Sequence, residues 1–134
     1  MRWRSIIQDT TGTVLTAMVL MMSFSGCGAP AAEAVLQSSN QMKELILAIR
    51  NYEDIHDQWP NDLGQVRNDV ESDFDMLLQN PITGDHPGYE YVQPPANADP
   101  ATTVILYQLR DGERDMTLRV GFADGKVAEP VSEQ

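Results

Sequence analysis

The chain has 134 residues, a formal net charge of −11 and a single cysteine. This length suits one domain with a modest hydrophobic core. The acidic surface repels nucleic-acid phosphates, so nucleic acid is not expected as a partner, and one cysteine allows neither an internal disulfide nor a metal site built from several thiolates.

The first residues have the features of a secretory signal. Arg2 and Arg4 give a short basic start, and residues 14–24 (VLTAMVLMMSF) carry no charge. Such a run matches the apolar region of a signal peptide, and it is too short to span a hydrocarbon layer of about 30 Å as a helix. We therefore expect residues 1–26 to direct export.

Cys27 follows the apolar run directly, behind Phe24-Ser25-Gly26. Small residues before a cysteine in this place resemble the lipobox of bacterial lipoproteins, although Phe24 stands where leucine is usual. In that family of signals a diacylglycerol is attached to the cysteine sulfur and the chain is cut before it. The resemblance implies that Cys27 carries the lipid that holds the protein to a bacterial membrane, with residues 27–34 as a short tether.

Two other interpretations of this segment remain open. A plain secretory signal would be cut near Ala29 or Ala32 and would discard Cys27, and an uncleaved segment would itself anchor the chain. Lipidation is favoured because the only cysteine of the sequence stands where the signal needs it. Residues 1–26 carry a net charge of +1, which leaves a mature chain of −12 that repels anionic headgroups.

Residues 35–56 carry the longest helical pattern of the chain. Ser38 and Gln41 have the spacing of a capping box near its start, and Pro60 keeps Trp59 extended beyond its end. Apolar side chains recur at the spacing of one helix face, which predicts that this face is buried in the core. They are Met42, Leu45, Ile46, Ile49 and Tyr52.

The next segment, residues 61–80, is acidic and less regular. Asn61-Asp62 predicts the start of a short helix that ends near Val66. Ser72 predicts the N-cap of a second short helix. The buried side of this second helix is expected to carry three apolar side chains, at Met76, Leu77 and Leu78.

The last part of the chain has the patterns of strands. Residues 89–92, 102–109 and 116–122 alternate in polarity or are rich in β-branched and aromatic side chains. A long helix followed by such strands predicts an α+β domain over residues 35–129, with the N-terminal helix packed on a three- or four-stranded antiparallel sheet. Residues 130–134 are expected to form a flexible tail.

Two Asp-Gly pairs mark turns between these strands. Asp111-Gly112 predicts a turn after the strongest strand. Asp124-Gly125 has the sequence of a two-residue type I′ hairpin, which requires positive φ at both positions.

Several short motifs stand along residues 35–128: Asn40-Gln41-Met42-Lys43, Ile46-Leu47-Ala48-Ile49, Asn51-Tyr52, Trp59-Pro60, Asn80-Pro81 with Gly84, Tyr89-Glu90-Tyr91, Val104-Ile105-Leu106-Tyr107 and Gly121-Phe122-Ala123-Asp124-Gly125-Lys126-Val127. Together they resemble prepilin-type proteins, both the bacterial group with an H-x9-DG motif and the major pseudopilins of type II secretion. The resemblance implies a pilin-like globular fold and a structural or accessory role near a secretion or pilus-like system.

The sequence departs from that family in ways that affect assembly. Arg114 occupies the position of the motif histidine, and no site for a prepilin peptidase is present. The apolar stem of a pilin is also missing, because residues 28–44 hold only Val35, Leu36 and Met42 as large apolar side chains. The resemblance therefore implies a pilin-like domain without the part that polymerises. Because the net charge of −12 adds repulsion between copies, we expect the domain without its lipid to be a monomer at low salt.

Candidate chemical groups are few, so we expect no enzymatic activity and no cofactor. Ser38 and Ser39 lack the sequence context of an activated nucleophile. Side chains of metal-ligand type are more simply interpreted as solvated polar groups: Asp54, His56, Asp57, Asp85 and His86.

Calcium is the metal for which the resemblance gives a candidate site, since the pseudopilins can bind calcium in a C-terminal loop. The corresponding oxygen ligands here are Asp111, Glu113, Asp115 and Asp124, although their spacing matches no EF-hand. The acidic run over residues 53–75 is interpreted as a solvated face, with a docking surface for a basic partner as the alternative. An envelope lipoprotein that binds a small ligand or calcium through acidic loops is the second functional hypothesis.

Lipidation of Cys27 is directly testable. Intact mass of the protein purified from its native envelope should show a chain that begins at Cys27 and carries acyl groups, and Cys27→Ala should block this processing. A mature N-terminus at Ala29 or beyond would contradict the prediction.

Overall fold

The computed structural model describes residues 31–130, so Cys27, the predicted signal and residues 131–134 lie outside the described part. The elements in chain order are a long helix α1 (Ala32–His56), a 3-10 helix (Leu63–Asp69), a short helix α2 (Phe74–Leu77) and strands β1 (Tyr89–Tyr91), β2 (Val104–Arg110), β3 (Glu113–Arg114), β4 (Val120–Phe122) and β5 (Val127–Ala128). Within residues 31–130, no helix is long and apolar enough to cross a membrane.

The strands form an antiparallel sheet in the order β1-β2-β4-β5, with β3 paired to the end of β2. The predicted α+β class is confirmed, but the sheet has five strands instead of three or four. The strand predicted over 116–122 begins only at Val120, because residues 115–118 form a turn. Asp115 organises this turn, since its carbonyl accepts from Leu118 N–H at 3.2 Å and its carboxylate accepts from Thr117 N–H at 3.0 Å.

The apolar stripe of α1 lies in the core as predicted. Met42, Leu45, Ile46 and Ile49 are fully buried, and Tyr52 packs against the same cluster. The helix lies against β4 and β5, and the approach to β4 is close because position 121 is a glycine. A Cβ at Gly121 would lie 2.6 Å from Ile46 Cδ1 and 3.1 Å from Leu106 Cβ.

The ends of α1 differ from the prediction. The helix begins at Ala32, so the last three residues of the predicted tether are helical. Ser38 is therefore not a cap but a buried residue inside the helix. The helix ends at His56, where Asp57 takes a left-handed conformation with φ 56° and its N–H donates to the Glu53 carbonyl at 2.8 Å.

The two short helices are placed as predicted but capped differently. The carboxylate of Asp62 accepts from Gln65 N–H and starts the 3-10 helix, which runs to Asp69 instead of ending at Val66. Asp73, not Ser72, caps α2, because its carboxylate accepts from the N–H groups of residues 75 and 76.

The buried side of α2 also differs from the prediction. Phe74 and Leu77 are buried, whereas Met76 is 71% exposed. Residues 74 and 77 are three positions apart and share the side of this one-turn helix that faces the core, whereas residue 76 faces solvent.

The two Asp-Gly pairs form different turns. Asp111 and Gly112 have φ of 53° and 80°, as a two-residue type I′ turn requires. At the second pair only Gly125 has positive φ, and its N–H donates to the Phe122 carbonyl at 3.0 Å. The prediction of a two-residue turn there is wrong: the carboxylate of Asp124 accepts from the N–H of residue 126, and the loop takes three residues with glycine in the left-handed position.

Burial on α1 gives a matched test of the core. Leu45→Ala or Ile49→Ala should lower the free energy of unfolding by about 2–5 kcal/mol, because each removes fully buried methyl groups and leaves a cavity. Leu47 lies on the same helix but is 61% exposed, so Leu47→Ala should change it by less than about 0.5 kcal/mol. Urea unfolding measures all three, and equal effects at positions 45 and 47 would refute the packing.

Candidate functional site

A buried polar cluster joins the helix, the loop after α2 and the sheet. Its centre is the amide of Gln108 on β2, whose oxygen accepts from Ser38 Oγ at 2.7 Å and from Asn80 Nδ2 at 3.0 Å. The amide nitrogen of Gln108 donates to the Arg119 carbonyl at 3.1 Å. We call these residues, with Tyr89, the Gln108 hub. Within residues 31–130, no buried side-chain polar atom lacks a hydrogen-bond partner.

Asn80 closes the loop that leads from α2 to β1. Its carboxamide oxygen accepts from Ile82 N–H at 2.8 Å, and its nitrogen also donates to the Gly88 carbonyl at 3.2 Å. A Cβ at Gly88 would overlap the Asn80 side chain and lie 2.8 Å from the Asp85 carbonyl, so a glycine is needed for this close approach. The loop is thus held to the hub from both of its ends.

Tyr89 connects the hub to the surface of α1. Its hydroxyl donates to Gln41 Oε1 at 2.6 Å and lies 3.4 Å from Ser38 Oγ. Burial raises the pKa of Tyr89 to about 12, and the contact with the Ser38 hydroxyl offsets part of this rise. The neutral phenol is therefore the form that the folded protein holds.

Next to the hub lies an open groove of about 910 Å³, which we call the α1 groove. One wall is a face of the first three turns of α1, and the other is formed by residues 72–86. The residues that line the groove carry four carboxylates, one imidazole and, in the described part of the chain, no lysine or arginine. The charged or titratable ones are Glu33, Glu44, Asp73, Asp75 and His86.

Each wall of the α1 groove exposes one large apolar side chain. Leu36 on α1 is 63% exposed, and Met76 on α2 is 71% exposed. The walls are held together by Glu44, whose two carboxylate oxygens accept from Ser72 N–H at 2.8 Å and Ser72 Oγ at 2.9 Å. His86 Nε2 donates to the Asp75 carbonyl at 2.9 Å, which ties the two ends of the wall formed by residues 72–86 to each other. The groove is thus shaped by internal bonds.

The residues predicted as possible metal ligands or nucleophiles lie apart. His56 stacks on Tyr52 with ring centroids 4.1 Å apart, and Asp85 accepts from Gly112 N–H at 2.9 Å. Ser38 donates to Gln108, and neither histidine is among its bonded partners. Over residues 31–130, no three His, Asp or Glu side chains are arranged to hold a metal ion.

The predicted calcium ligands are not gathered. Asp111 and Glu113 lie in and after the β2–β3 turn, whereas Asp124 lies in the β4–β5 turn. The carboxylate of Asp115 is already bound by the Thr117 hydroxyl and by Arg110 Nε at 2.8 Å, and these bonds hold its pKa at about 2. Over residues 31–130 these side chains are not among any group of three carboxylate or imidazole side chains arranged to hold a metal ion, and calcium binding by this set stays a prediction.

Arg114, ten positions before Asp124, ties β3 to β1. Its guanidinium binds the Glu90 carboxylate through two bonds of 3.0 and 2.9 Å and lies 4.1 Å from the centroid of the Tyr107 ring. The bonds from Arg114 lower the pKa of Glu90. At this position the chain uses a bidentate ion pair and a cation–π contact to fasten neighbouring strands.

Comparison with known proteins gives no relative: no protein-family model matches the chain, and no curated protein or solved structure is significantly similar to it.

The buried phenol predicts a loss of stability in alkali. The unfolded chain releases the Tyr89 proton near its ordinary pKa of 10.0, whereas the folded state keeps it until about 12. The contribution of the neutral Tyr89 side chain to the free energy of unfolding is therefore complete below about pH 10 and is lost as the pH rises to about 12. Burial also raises the pKa of Tyr91, which adds to the same trend.

Urea unfolding at several pH values between about 8 and about 11.5 measures this loss. Tyr89→Phe should be less stable by about 1 kcal/mol at the lower pH, because the bond to Gln41 is gone, and its stability should fall less steeply in alkali. If the stability of the wild-type protein and that of Tyr89→Phe fell equally steeply with pH, the alkaline loss could not be assigned to Tyr89.

Proposed function

We propose that the chain is an exported lipoprotein, anchored to a bacterial membrane through Cys27, whose pilin-like domain is a non-polymerising structural or accessory component near a secretion or pilus-like system. The observation that carries the proposal is the start of α1. Ala32, its first residue, stands five positions after Cys27. A lipid on Cys27 would then sit close to the start of the long helix, where a pilin has its apolar stem.

The side chains at the start of α1 support the loss of polymerisation. Met42 is fully buried in the domain's own core, so it is not available to another copy. Leu36 is exposed but is surrounded on the helix face by the polar or acidic side chains of Glu33, Gln37 and Asn40. Such a surface does not favour the apolar packing on which a filament core depends.

A structural role is also supported by the hub. Buried side chains that could carry chemistry, Ser38, Ser39 and Tyr89, are bonded to side chains of other elements of the domain. Such bonds fix the relative position of elements.

Attachment is tested by membrane fractionation. The wild-type protein should stay in the membrane fraction, and a much smaller share of the Cys27→Ala variant should be found there. Retention of Cys27→Ala at the wild-type level would contradict lipid anchoring. Cross-linking of the membrane-bound protein to secretion or pilus components should be reduced in the same variant.

Polymerisation is tested with residues 28–134 made without the lipid. Light scattering should show a monomer at low salt, where the charge of −12 gives the strongest repulsion between copies. Electron microscopy should show no filaments. Ordered filaments from this chain would overturn the claim that the domain has lost the means to polymerise.

A further inference from the structure

We infer that the α1 groove docks a basic, amphipathic helical segment of a partner protein. The inference goes beyond the proposed function and does not require the lipid, because every residue that carries it lies between positions 33 and 86.

Charge gives the first argument. Four carboxylates line the groove, and Arg67, which does not line it, lies 3.5 Å from one of them, Asp75. Glu33, Glu44 and Asp73 thus face no cation among the lining residues. A segment with lysine or arginine side chains complements this lining, whereas anionic headgroups or a second copy of this acidic chain would be repelled.

The exposed apolar side chains give the second argument. Leu36 and Met76 stand on opposite walls, each more than half exposed. A purely cationic ligand would leave them in water, whereas the apolar face of an amphipathic helix covers both. Recognition of a helix in a groove uses this combination of apolar anchors in the middle and charges at the rim.

Rigidity gives the third argument. The bonds of Ser72 to Glu44 hold the two walls together without a partner, and the bond of His86 to the Asp75 carbonyl stabilises the wall formed by residues 72–86. The Tyr89 hydroxyl holds Gln41, another lining residue, from the side of the hub. A groove that is already formed loses little entropy on binding, so even a short segment gains affinity from it.

The experiment measures peptide binding to the full mature protein purified from the envelope and held in nanodiscs of zwitterionic phosphatidylcholine. The probe is a fluorescent peptide of about 18 residues with leucine on one helical face and lysine on the other. A peptide with glutamate in place of lysine and one with the same composition but no apolar face are the controls. Empty nanodiscs give the blank.

Matched variants separate the groove from the rest of the surface. Leu36→Ser with Met76→Ser should weaken binding of the leucine–lysine peptide by about tenfold or more. Leu47→Ser with Ile55→Ser removes two side chains that are 61% and 71% exposed and outside the groove, and it should change binding less than about twofold. Unchanged melting temperatures verify that all of these variants fold.

A second pair of variants isolates the charge. Glu33→Gln with Asp75→Asn should weaken binding several-fold, whereas Asp54→Asn with Asp69→Asn removes the same charge from exposed positions outside the groove and should have little effect. Equal losses in the two pairs would mean diffuse attraction to an acidic protein and would overturn the inference.

Three other results would also overturn the inference. One is the absence of binding to any peptide. Another is equal binding of the peptide that lacks an apolar face. The third is self-association of the wild-type protein that disappears in the Leu36→Ser, Met76→Ser variant, because a second copy would then occupy the groove.

The outcome is independent of the proposed function. Failure of anchoring appears in the mass and in the membrane fraction of the protein, whereas failure of docking appears in the difference between matched variants of a single preparation.

Discussion

The amide of Gln108 is the constraint on which the arrangement of helix, loop and sheet depends. It binds Ser38 on α1, Asn80 in the loop after α2 and the carbonyl of Arg119 before β4. A buried polar group that loses its partner costs about 1–3 kcal/mol, so α1 cannot shift by one turn along the sheet without losing stability at several points together. The apolar stripe buries one face of α1 in the core, and the hub selects one register for it.

The same constraint shapes the α1 groove. The loop after α2 belongs to the wall formed by residues 72–86, and Asn80 ties this loop to the hub. The glycine at position 88 lets the loop pass close to the Asn80 side chain. On the wall formed by α1, Gln41 is held by the Tyr89 hydroxyl. The groove therefore borders the hub, and a change at Tyr89 would release Gln41 although Tyr89 does not itself line the groove.

Local patterns predicted the parts of this fold whose causes are local. The spacing of Leu45 and Ile49 indicates burial of one helix face, and the alternation over 89–92 indicates a strand. No local pattern indicates the hub, because Ser38 and Gln108 are 70 positions apart in the sequence. A polar residue in a helix also has the same sequence pattern whether it is buried or solvated. The groove could not be predicted because one of its apolar side chains, Met76, was expected on the buried side of a short helix capped by Ser72, whereas Asp73 caps α2 and Met76 faces solvent.

Several arginine side chains are bound within the domain and do not neutralise the remaining carboxylates on its surface. Arg50 donates to the carbonyl of Asp124, Arg110 binds Asp115, and Arg114 binds Glu90. These cations are engaged within the domain and leave the surplus of carboxylates to face solvent. At physiological salt the field of that surplus reaches only about 8 Å, so it opposes contact between copies but cannot by itself select a partner. Selection must come from groups in contact, and in the described structure the α1 groove is where carboxylates and exposed apolar side chains share one preformed surface.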